Sequence, residues 1–95
     1  MQKTFDVISD PGHAWVKVPM TLLYSLCISK QISSYSYRRG AYAYLEEDCD
    51  LGVFFDAYKA CYGHDPKFRE RVAREKRSRV RGYDHYFWGD QNAPV

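Results

Sequence analysis

The stretch from Asp50 to Gly63 constrains the fold most. Leu51, Phe54, Phe55, Tyr58, Cys61 and Tyr62 recur at helical spacing and form one apolar stripe. Asp50 stands where an N-cap is wanted, and Gly63 stands where a helix closes in the left-handed region. Acids before the helix and Lys59 near its end suit its dipole. A helix with one apolar face needs a second layer to cover it. The segments before it read as strands, so the chain is expected to be α+β.

Phe5 to Ile8 reads as a short strand and Ala14 to Val18 as its hairpin partner. Between them Asp10-Pro11-Gly12-His13 makes a turn, with Pro fixing φ and Gly accepting a positive φ. Pro19 opens a short helix over Met20 to Leu26, with Leu22, Leu23 and Leu26 on one side. Ile32 to Arg38 alternates as a third strand. Arg39-Gly40 is a tight turn, and Ala41 to Leu45 returns as a fourth strand that pairs Tyr35 and Tyr37 with Tyr42 and Tyr44. The small Ala41 and Ala43 leave room for a helix on the other face. Asp65-Pro66 signals a third helix, Pro66 to about Arg79. The expected order is β-β-α-β-β-α-α: two hairpins in one antiparallel sheet, a helix on one face and a basic C-terminal helix. Residues 1–82 form the domain, and the aromatic 83–95 segment reads as a partly disordered tail.

Charge is unevenly spread. Eight Lys/Arg face two Asp/Glu between Lys67 and Arg81, whereas the remainder has six against ten. Such polarity favours binding a charged partner over catalysis. Ninety-five residues suit one domain with one modest core. No apolar run approaches the roughly 18 residues of a membrane span. The N-terminal residues lack the apolar segment of a secretory signal. Three cysteines without CxxC spacing read as reduced thiols of a cytoplasmic protein.

Three groups of residues are candidate sites. Lys67, Arg71, Arg74, Arg77 and Arg81 form a basic surface that can grip phosphates or an acidic protein, with Tyr83, Tyr86, Phe87 and Trp88 near enough to stack on bases. The competing reading is a solvated helix whose arginines pair with nearby acids. Glu46, Glu47 and Asp48 form an acidic surface for a partner; consecutive acids without a dividing Gly do not make an EF-hand. His13 follows a turn, where bonding to backbone outweighs a role as base. Cys49 lies among carboxylates, which raise its pKa and blunt it as a nucleophile. His13, His64 and His85 show no ligand spacing with the cysteines, so neither metal nor cofactor is expected.

The strings Asp10-Pro11-Gly12-His13-Ala14-Trp15-Val16-Lys17-Val18-Pro19 and Ile32-Ser33-Ser34-Tyr35-Ser36-Tyr37, continuing through Tyr44-Leu45-Glu46-Glu47-Asp48-Cys49-Asp50, resemble small uncharacterised proteins of bacteriophages and other bacterial mobile elements. The resemblance covers most of residues 5–70 and fades from Gly82. It implies a non-enzymatic protein of the host cytoplasm that binds a host protein or nucleoprotein, as inhibitors of CRISPR or restriction systems do. The alternative is a small DNA- or RNA-binding module using the basic 67–81 segment. Either a monomer or a salt-sensitive homodimer, acidic loop against basic helix, fits this charge pattern.

Overall fold

The computed structural model describes residues 4–72 and 79–89. A six-stranded mixed sheet carries two helices on one face, an α+β arrangement. The strands are β1 (Thr4–Ser9), β2 (Ala14–Pro19), β3 (Tyr37–Arg39), β4 (Tyr42–Glu46), β5 (Lys67–Val72) and β6 (Asp84–His85). The helices are α1 (Met20–Ser25) and α2 (Leu51–Tyr62). Across the sheet the order is β5-β1-β2-β4-β3-β6, with β1 and β5 parallel and the other pairs antiparallel.

Alternation along the strands sorts the residues into two faces. Phe5, Val16, Val18, Ala43 and Leu45 point toward the helices and are buried with Leu23, Phe54, Tyr58 and Tyr86. The rings of Phe5 and Phe54 meet edge to face at 5.2 Å. The buried side of α2 is narrower than its sequence stripe. Phe54 and Tyr58 are fully covered, while Cys61 and Tyr62 stand exposed and Val53 and Ala57 pack in their place. Gly63 ends α2 with a left-handed φ of 77° and donates to the Lys59 carbonyl. After α1, Cys27 takes a φ of 59°; its N–H reaches the Tyr24 carbonyl and that of Ile28 reaches Leu23. This is a Schellman closure with cysteine where glycine is usual.

Four expectations are corrected. The residues from Lys67 to Val72 are a strand and not the start of a helix. Lys-Phe-Arg-Glu-Arg-Val alternates with period two, Phe68 stacks on Phe55 at 6.5 Å, and Arg69 pairs with Asp6 on β1. Residues 73–78, the middle of that expected helix, lie outside the described residues; Arg79–Gly82 is a 3-10 turn. The sheet is therefore mixed and not wholly antiparallel. The strand expected from Ile32 shrinks to Tyr37–Arg39, because Ser33 and Ser36 bond sideways to Asp50 and hold 33–36 as a turn. The hairpin turn is Gly40-Ala41, with Gly40 at φ 57°, one residue beyond Arg39-Gly40.

The segment after Gly82 is tied into the fold as far as Gly89. Tyr86 is buried, donates its OH to the Ser29 carbonyl at 2.6 Å, and its N–H reaches Ser36. Arg38 donates to the carbonyls of Phe87 and Gly89. Tyr24 OH donates to the Trp88 carbonyl, and Lys30 lies over the Trp88 ring. Residues 90–95 lie outside the described residues.

Candidate functional site

The β2–β4 register sets Trp15 opposite Glu46, which brings the 10–13 turn beside the acidic 46–49 turn. Asp10 organises the first turn. Its Oδ1 accepts the N–H groups of Gly12 and His13, both at 3.0 Å. The same carboxylate takes two bonds from Arg81, Nε at 2.7 Å and the second nitrogen at 2.9 Å. Asp10 is almost wholly enclosed there, and the pairing holds Arg81 yet more firmly in its charged form. Gly12 does not take a positive φ; a Cβ there would lie 2.9 Å from the Arg81 guanidinium, which would have to shift on Asp10 to admit it.

Glu46 anchors the second turn. It is 7% exposed. Its Oε2 accepts the Asp48 N–H at 2.9 Å, and its Oε1 lies 3.2 Å from His13 Nδ1. The Glu46 N–H in turn reaches Ser36 Oγ at 2.9 Å. Cys49 stands exposed beside this carboxylate. A hydrogen bond to Glu46, then burial and the neighbouring acids, push its thiol pKa up, so it rests as the thiol. Asp50 precedes α2, but its side chain does not cap the helix. It bonds Ser33 N–H, Ser33 Oγ and Ser36 Oγ instead.

These two turns line a pocket of about 280 Å³. Tyr35, 72% exposed, and half-buried Tyr37 form a wall. Trp15 lies deeper, packed with Tyr44 and Val80 and covered by the Arg81 guanidinium at 5.2 Å. Its indole N–H is buried without a hydrogen-bond partner among the described residues. Charges in the pocket sum to acidic: Arg81 is matched by Asp10, leaving Glu46 and Asp48.

The basic surface is elsewhere. Lys67, Arg69 and Arg71 share one face of β5, an edge strand. Arg69 makes two bonds to Asp6 Oδ1, and Arg71 approaches the same oxygen at 3.8 Å. A second groove of about 230 Å³ continues from Arg69 and Asp6 to Lys17 and Tyr42, with the Lys17 ammonium 4.3 Å from the Tyr42 ring. Of the expected basic residues, Lys67 and Arg71 are thus together on β5, and Arg81 is turned onto Asp10 at the pocket. Arg74 and Arg77 lie outside the described residues. Of the acidic set, Glu47 and Asp48 are exposed and Glu46 is enclosed.

Sequence reading missed the meeting of His13 with Glu46 and Asp48. Thirty-three positions separate His13 from Glu46, and no local spacing hints at the contact. It also missed Lys17 and Tyr42 as neighbours of the basic strand, because that strand was read as helix. The chain matches no protein-family model, and comparison with curated proteins and with solved structures gives no similarity. No helix among the described residues is long and apolar enough to cross a membrane.

Proposed function

We propose that this chain is a non-enzymatic binding protein of a phage or mobile element. It docks through charged surfaces on a host nucleoprotein, as an inhibitor of host defence does. The observation that carries this reading is the basic row Lys67, Arg69 and Arg71 on an open sheet edge, extended across the sheet by Lys17 and exposed Tyr42. A strand at an edge offers its side chains and unpaired backbone groups to a partner without rearrangement. Cations spaced two residues apart suit the phosphates of a nucleic-acid strand, and the Tyr42 ring offers a face for a base. Glu47 and Asp48, at the other end of β4, would meet the protein part of the complex and set its orientation.

The placement of Tyr42 against Lys17 favours one further reading, a module for plain single-stranded DNA or RNA. Affinity capture from host extract, with and without nuclease, separates the two. Docking on a nucleoprotein predicts a defined set of host proteins, part of which survives nuclease through the acidic contacts. A plain nucleic-acid module loses everything it captured. If a Lys67→Glu/Arg71→Glu variant captures the same proteins as the parent chain, the basic edge is not the docking surface and both readings fail.

A further inference from the structure

We propose that His13, Glu46 and Asp48 form a binding site for a divalent transition-metal ion of the zinc type. One donor atom from each of these three side chains lies within 4.8 Å of the other two. The His13 Nδ1 to Glu46 Oε1 separation is 3.2 Å. Two ligands of a tetrahedral zinc ion, with bonds near 2.0–2.1 Å, stand about 3.3 Å apart. That edge of the coordination shell is therefore already the right length. Asp48 is exposed, so its carboxylate can turn inward to supply the third ligand.

The supports differ in rigidity. Glu46 is fixed by β4 and by the Asp48 N–H on its second oxygen. His13 is fixed by its own N–H on Asp10 and by its ring against Trp15, 6.0 Å away. An imidazole with two carboxylates favours zinc-type ions over magnesium or calcium, which prefer all-oxygen shells. Three protein ligands leave a coordination position facing the pocket. Trp15, 2% exposed, is also among the residues that line this pocket, and its buried indole N–H has no partner among the described residues. The Arg81–Asp10 pair beside it is self-neutralising and leaves the acids to hold the cation.

The test needs only the purified chain, so it is independent of the docking reading. After chelator treatment, the protein is titrated calorimetrically with zinc and, separately, with magnesium, and thermal melts are recorded alongside. The inference predicts one zinc per chain, a melting temperature that rises with zinc concentration, and much weaker magnesium binding. His13→Ala and Asp48→Asn each lower zinc affinity by roughly tenfold or more. Both positions are exposed, so circular dichroism is expected to show unchanged folding. A His64→Ala control binds zinc as the parent does. Absence of stoichiometric zinc uptake overturns the inference, as does equal uptake by parent and His13→Ala chains. Magnesium binding as tight as zinc also overturns it, because an oxygen cluster without His13 would then suffice.

Discussion

Asp50 shows how one side chain sets the local path of the backbone. A carboxylate that is 2% exposed must have its oxygens matched, and three donors from Ser33 and Ser36 match them. The same bonds forbid the extended conformation that Ile32–Ser36 otherwise favours, and Ser36 passes the constraint to β4 through the Glu46 N–H. Asp50→Ala would strand buried hydroxyl and amide donors, at a cost of about 2–4 kcal/mol. Asp48→Ala, on the exposed side of the same turn, should stay within about 0.5 kcal/mol of the parent. Urea unfolding midpoints of the two variants check this contrast. The sequence marks Asp50 as a helix cap, and it does stand at that position. Its real bonds were illegible because they depend on serines 14 and 17 residues earlier.

Elements were legible in proportion to how far local pattern decides them. The extent of α2, its Gly63 closure and the Asp10–His13 turn are local, and each is found where the pattern places it, whereas the packed side of α2 trades Cys61 and Tyr62 for Val53 and Ala57. β5 was not legible, because Phe68 and Val72 suit a helix by spacing as well as a strand by alternation. What decides is β1, whose open edge pairs with Thr4↔Lys67 through Ser9↔Val72. The segment around β6 is likewise held by distant groups, through Tyr86 at the core and Tyr44 beneath Tyr83. Burial, with the neighbouring Tyr24, pushes the Tyr86 phenol up to about 12. Burial, with Tyr83, pushes Tyr44 up to about 12 as well. Their folded pKa values thus lie above the unfolded value of about 10. Their contribution is complete below pH about 10 and is lost as pH rises toward 12, since the unfolded chain ionises first. Each tyrosine then removes stability at up to about 1.4 kcal/mol per pH unit. Denaturant midpoints should hold level up to pH about 10 and fall from there toward pH 12. A Tyr86→Phe variant should show a shallower slope.

At the scale of the molecule, the sheet separates two chemistries. One edge and the adjoining open face carry Lys67, Arg69, Arg71 and Lys17, and the far end of β4 carries the acids and the His13 pocket. Composition announces this polarity, but it could not say that Arg81 belongs with the pocket and not with the basic row. That assignment follows from the Arg81–Asp10 bonds, which span 71 residues. The central claim is that the basic row grips phosphates. It is tested most directly by the salt dependence of binding to a mixed-sequence single-stranded oligonucleotide. If Lys17, Lys67 and Arg71 each displace a counterion, log affinity should fall against log salt with a slope of about −2. A chain with all three changed to Gln should show a slope near zero and little binding. Contradiction would be no binding by the parent at low salt, or parent and triple-variant curves that superimpose.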